Sequence, residues 1–268
     1  MRRLVVLALT TLAVAVLAPP AGAGTETAPA RPARLVVALG LGEPSLQAGV
    51  VRGREVILAR GFEVEVARAL AQRLGTPVGR FVYAPAASRR LASGAATWQL
   101  ALAGIERRPA ANAASGLSAP YLTSDVAVVT RRGLTRPRGV ADLRARVVCA
   151  RRGSTGVRAI ASLRPRTSRL LVAGTERLRE LLRTGACDVA LVPAFEVGRF
   201  VAGHRALLGP AVGRLRQGEG LAVHVRAGAG LEVAAVNRAL ANLRRDGTLG
   251  RLARTWLGLD PAALPRLR

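Results

Sequence analysis

Lysine is absent from these 268 residues, so all 41 cationic side chains are arginines. Methionine occurs once, histidine and cysteine twice each, and aromatic residues make up only 3% of the chain. Each scarcity removes a class of function. The two histidines, His204 and His224, stand alone, and no H-E-x-x-H or Cys/His pair at ligand spacing exists, so no metal site, cofactor or catalytic residue is expected. A phosphate-cradling G-x-x-x-x-G-K-[ST] loop is missing as well. With so few aromatics, platforms for stacking bases are nearly absent. The formal net charge of +25 is carried by arginines that are spread rather than clustered, in a chain rich in alanine and glycine, as GC-rich codons produce. Nucleic acid is therefore not an expected partner; attraction to an anionic membrane face or an acidic cell wall suits such a charge better.

What is present begins with an address. Arg2 and Arg3 precede an uncharged apolar stretch, Leu4 to Leu17, and Ala21-Gly22-Ala23 supplies the small residues at which a signal peptidase cuts. The apolar core is shorter than the roughly 20 residues that span a bilayer. Residues 1–23 are thus read as a cleaved Sec-type signal peptide, and its removal takes the charge from +25 to +23 by loss of Arg2 and Arg3. No cysteine lies near the cut, so a freely soluble periplasmic or secreted protein without a lipid anchor is expected. Residues 24–33 read as a Pro/Ala/Thr linker.

The remainder alternates strand-type runs with amphipathic helices. Leu35–Leu39, Leu100–Ala103, Ala127–Thr130, Val147–Ala150, Leu170–Val172 and Val189–Val192 are short apolar runs, with helical patterns over 63–74, 157–163, 175–183 and 231–245. In 63–74, Val66, Ala67, Leu70, Ala71 and Leu74 form one face, with Glu65, Arg68, Gln72 and Arg73 on the other. Strands separated by helices predict parallel β-α-β units and an α/β fold.

Six segments carry a more specific resemblance: GFEVEVARALAQRLG at 61–75, ALAGI at 101–105, LSAPY within 117–130, ADLRARVV at 141–148, TGACDVALV at 184–192, and NRALANLRRDGTLGRLARTWLG at 237–258. In this order they resemble the bacterial extracellular solute-binding proteins of family 3, the binding components of amino-acid ABC importers. The resemblance implies a two-lobe, type II periplasmic binding protein fold, each lobe a mostly parallel sheet flanked by helices, joined by two hinge strands. Carried onto this chain, the first lobe is 34–122 plus 220–258, the second 123–219, the hinges lie near Tyr121–Asp125 and Gln217–Leu221, and 259–268 form a C-terminal tail. It also implies a monomer that captures a small polar solute, an amino acid or a related compound, and passes it to the ABC permease subunits in the membrane. The alternative within the same fold is a periplasmic enzyme of the cyclohexadienyl dehydratase kind or a degenerate sensor domain.

The turn Gly153-Ser154-Thr155-Gly156 follows an apolar strand and opens a helix, where free N–H groups and the positive end of the helix dipole favour an anion. Read from the residues alone, capping of the helix by Ser154 or Thr155 is the commoner role for such residues; the resemblance favours ligand capture. It also places Ala103, Gly104, Glu106, Arg151, Gly153, Ser154 and Thr155 at ligand-binding positions, and Glu43 and Arg107 or Arg108 are proposed as substitutes for missing family contacts in the same cleft. The chain departs from the family where an arginine clamps the ligand carboxylate, here Ala111, and where a carboxylate holds the ligand ammonium, here Pro193. The stacking aromatic near the first strand is missing too. Glu43, Glu106, Glu196 and Glu219 are the acids near the inferred cleft, which suits a cationic or zwitterionic solute. Cys149 and Cys187 lie on strands that neighbour each other in a β-α-β lobe, so a disulfide and a pair of buried thiols are both open.

Overall fold

The apolar run at Leu35–Leu39 becomes β1, fully buried at four of its five positions and hydrogen-bonded in parallel to β4 (Val78–Tyr83) on one side and β5 (Leu100–Leu102) on the other. The computed structural model of the chain describes residues 30–84, 97–107, 116–165, 169–204 and 208–268, so the proposed signal segment, Arg108 and Ala111 lie outside the described residues. An antiparallel hairpin, β2 (Ala48–Arg52) and β3 (Glu55–Arg60), extends this sheet at one edge. Strands β6 (Leu117–Leu122) and β12 (Leu221–Val225) complete it at the other, in the order β2-β3-β4-β1-β5-β12-β6.

The second sheet, ordered β11-β7-β10-β8-β9, is built from β7 (Val126–Arg131), β8 (Val148–Arg151), β9 (Arg169–Val172), β10 (Val189–Pro193) and β11 (Leu208–Leu215). Its parallel part is β10-β8-β9, as β4-β1-β5 is that of the first sheet; all other pairings are antiparallel. The parallel strands bury both faces and therefore read as continuous apolar runs. Asp188 sits where three strands of the second sheet converge. Burial pushes its pKa up, but bonds from Arg131 Nε (2.8 Å) and Val147 N (3.0 Å), with the Arg131 charge, outweigh that and hold it below the ordinary value.

Among the described residues, helices cover one face of the first sheet and both faces of the second. The first core gathers α1 (Phe62–Arg73), α6 (Val233–Arg245) and α7 (Thr248–Leu257) against the first sheet. Phe62, Val66, Leu70 and Leu240 are fully buried there, each contributing roughly 1.5–3 kcal/mol. On the second sheet, α2 (Val140–Arg144) and α3 (Thr155–Leu163) cover one face, and α4 (Thr175–Thr184) and α5 (Val197–Val201) the other. Cys149 of β8 and Cys187, just before β10, are joined in a disulfide with Cα atoms 6.2 Å apart, both wholly buried in the α4/α5 core. No helix among the described residues is long and apolar enough to cross a membrane.

The chain passes between the sheets at 122–126, at 215–221 and once more after α7. That third passage carries residues 259–268 onto the second sheet. Arg214 N donates to Pro265 O (2.8 Å), Leu267 N to Arg214 O (3.0 Å) and Val140 N to Arg268 O (3.0 Å). Leu259, Leu264 and Leu267 pack into the second lobe's cores, so this segment is part of that lobe's structure. Arg214 also pairs with Asp125, which is 2% exposed, and the pair locks the first two passages together.

Candidate functional site

The turn after β8 is built as a helix start without a side-chain cap. Arg151 closes β8, Gly153 takes the left-handed conformation (φ 74°), and Ser154 is extended before α3 begins at Thr155. The Ser154 hydroxyl donates backwards to the Arg151 carbonyl (2.7 Å) instead of accepting a helix amide, so the capping reading fails at Ser154. The Thr155 hydroxyl is buried and has no hydrogen-bond partner among the described residues. Gly156 is required by packing, because a Cβ there would lie 2.3 Å from the Leu191 carbonyl of β10.

Charged groups from both lobes meet around this turn. Arg151 forks onto both oxygens of Glu196 (2.9 and 3.2 Å), at the start of α5. Arg158, one turn into α3, reaches across to the first lobe and forks onto Glu106 (3.1 and 3.2 Å). Arg199 Nη1 approaches the Pro44 carbonyl across the same gap at 3.4 Å, bringing α5 against the 43–46 loop. Glu43, in that loop, receives the Ser45 amide (3.2 Å) and pairs with no cation among the described residues. Burial raises the Glu196 pKa, and the Glu43 charge raises it further against the opposing effect of Arg151. Beside Glu106 and Arg158 a cavity of about 600 Å³ opens toward Gln217–Glu219, where Glu219 is engaged by Arg107 (2.9 Å).

The first-lobe edge of this region rests on a group that the sequence reading passed over. Glu63 is wholly buried and has three donors: Gln47 Nε2 (2.5 Å), Gly104 N (2.9 Å) and the Tyr121 hydroxyl. One carboxylate thus ties together the loop after β1, the start of α1, the turn after β5 and the end of β6. Burial lifts its pKa to about 7 in spite of these bonds, with Glu43 adding to the rise. The Tyr121 phenol is pushed well above its usual value by burial and by the Glu63 charge, so it remains a donor. Gly104 holds φ 64° while its N–H is committed to Glu63, a conformation that favours glycine.

The structure therefore pairs Glu106 of the first lobe with Arg158, on the helix that Thr155 opens, and sets Glu43 where its charge acts on Glu196, the partner of Arg151. Gly153 lies at the exposed tip of the turn, and Ala103 is buried behind the edge that Gly104 shapes. Pro193 is buried at the end of β10 and offers no charge, while Glu196, three residues on, supplies one. Arg108 lies outside the described residues.

The model of the bacterial extracellular solute-binding proteins, family 3, matches residues 58–259. The chain belongs to this family. Among solved structures it is similar to the L-cystine solute receptor of Neisseria gonorrhoeae in the unliganded open conformation, at 20% identity over 86% of this chain and 95% of that one, with a TM-score of 0.68. An ancestral arginine-binding protein bound to glutamine matches at 22% identity over 85% and 99%, TM-score 0.52. The ancestral amino-acid-binding protein AncCDT-1, a precursor of cyclohexadienyl dehydratase, matches at 18% identity over 84% and 95%, TM-score 0.54. At these identities the likeness shows the fold, a two-lobe type II binding protein. A search of curated proteins returns no match.

In this family 3 protein, Glu63, Gln47 and Arg158 are the site-region residues that sequence reasoning missed. A signal for Glu63 existed: it lies three and four positions before Val66 and Ala67, so an acid continues the apolar stripe of α1.

Proposed function

We propose that this protein captures a small polar solute bearing a cationic group, an amino acid or a related compound, between its lobes and delivers it to the permease of an ABC importer outside the cytoplasm. It works as a monomer, with lobes 34–122 plus 220–258 and 123–219, and as a binding protein rather than an enzyme. The observation that carries this reading is the convergence of Glu43 and Glu106 from one lobe with Arg151–Glu196 and the uncapped start of α3 from the other. Arg151 and Arg158 are each already held in a fork by a carboxylate, whereas Glu43 has no such cation. Glu43 is the acid left for a cationic ligand group to pair with. The α3 amides remain for an anionic or carbonyl oxygen of the same solute. A ligand touching both lobes favours the closed arrangement by its differential contacts.

A thermal-shift panel of basic and neutral amino acids, amines, small organic acids and prephenate tests this. Binding raises the melting temperature as RT ln(1 + [L]/Kd) requires, and the response of the best ligand should fall when Glu43 or Glu196 is replaced by glutamine. A response confined to organic acids without a cationic group sinks the ligand class, and turnover of prephenate sinks the non-enzymatic reading.

A further inference from the structure

A second cavity, of about 670 Å³, lies along the crossovers and shares only Arg216, Gly218 and Glu219 with the one beside Glu106. All three passages between the lobes line it, together with the end of α6 and one face of α7. Five guanidinium groups face this groove: Arg214 near the end of β11, Arg216 from the second passage, Arg244 from α6, Arg254 from α7 and Arg266 from the third passage. Three carboxylates face it too, leaving an excess of two positive charges, and two of the three are already paired with arginines. Asp125 is taken by Arg214, Glu219 by Arg107, and Asp260 accepts the Ala262 amide (2.9 Å) to close its own turn. Arg244 donates to the Pro120 carbonyl (2.5 Å). Arg216, Arg254 and Arg266 are exposed and make no side-chain hydrogen bond or ion pair among the described residues. The wall at α7 is kept low by Gly247 and Gly250, so the groove stays open between these three side chains.

We propose that this groove binds a small, multiply charged oxyanion of the phosphate class, held between Arg216, Arg254 and Arg266. Guanidinium forks match the paired oxygens of such an anion, and a concave site lined by one excess sign of charge concentrates counter-ions. A group with several oxygens suits three forks arriving from three separate chain passages. Because Arg254 belongs to the first lobe's helix and Arg266 to the segment laid on the second lobe, the bound anion braces the crossovers. The site is separate from the solute cleft, and its occupancy is measurable whether or not the solute reading holds.

The experiment replaces chloride by inorganic phosphate at constant ionic strength and follows the melting temperature. A saturable rise is expected, about 3 °C at ten times the half-saturating concentration. The double variant Arg216→Gln/Arg254→Gln should lose at least tenfold in phosphate affinity, whereas Arg183→Gln, on the exposed face of α4, should retain it. Should the double variant fold poorly, the single variant Arg266→Gln gives the same reading by titration calorimetry of phosphate. A linear rise equal in chloride and phosphate, or undiminished affinity in the folded variants, overturns the proposal. So does co-sedimentation with phosphatidylglycerol vesicles without any saturable response to free phosphate, which assigns the patch to a lipid surface.

Discussion

The two lobes hold their sides of the cleft by opposite means. On the first, a single buried carboxyl group, Glu63, joins four segments through neutral donors and pairs with no cation among the described residues. On the second, a disulfide anchors β8 to the approach of β10, the Arg131–Asp188 pair ties the sheet edge away from the cleft, and the cleft side carries the Arg151–Glu196 ion pair. The first arrangement is sensitive to protons and the second to reductant. The difference teaches that one fold can place its binding edges with quite different chemistry, and that the two edges should fail under different stresses.

The largest effect expected is on the second lobe. Replacing both Cys149 and Cys187 by alanine should cost about 4 kcal/mol, the loop-closure estimate for a sequence separation of 38. Urea unfolding of the oxidised protein and the variant measures it, and a loss below about 1 kcal/mol removes the disulfide from the comparison. The next effect belongs to the first lobe and depends on pH. Unfolded, Glu63 ionises near 4.5; folded, near 7. Between these values the folded chain keeps a proton that the unfolded chain has released, so stability is greatest below pH 4.5 and falls as pH rises through 7. The loss is on the order of 3 kcal/mol for this group. Glu63→Gln should abolish that part of the slope; identical pH profiles for the two proteins would refute the role given to Glu63. The smallest effect is on the link between the lobes. Arg158→Ala removes a pair whose arginine is half exposed, so stability should change by less than about 1 kcal/mol. A loss above about 2 kcal/mol in the same unfolding assay would mean that the Arg158–Glu106 contact is structural, and that the lobes are not free to move there.

Much of this architecture is written in the sequence where burial is two-sided. Leu35–Leu39 and Val189–Val192 are read as strands because both faces are covered, and α1 because its stripe is continuous. The hairpin β2–β3 is not legible in that way. Val50, Val51 and Leu58 are exposed and Gly49 breaks the pattern, so the apolar alternation that marks a half-buried strand is lost. Strands β6 and β12 are likewise hidden, since their pairing is set by long-range contacts and not by local pattern. At the candidate site the family motifs led to the α3 turn and to Glu106, because those positions carry a spacing. Arg158 carried none, for an exposed helical arginine looks the same whether it faces solvent or the opposite lobe.

The segment around Arg266 runs in parallel beside Arg214 of β11, the outermost strand of the second sheet. An uncovered strand edge invites pairing with other chains, and here the cover is supplied by residues that follow the helices of the first lobe. The second lobe therefore reaches its protected form only after the first lobe's closing helices have been translated. Shortening the polypeptide by those few residues should promote self-association rather than merely trim a loose end.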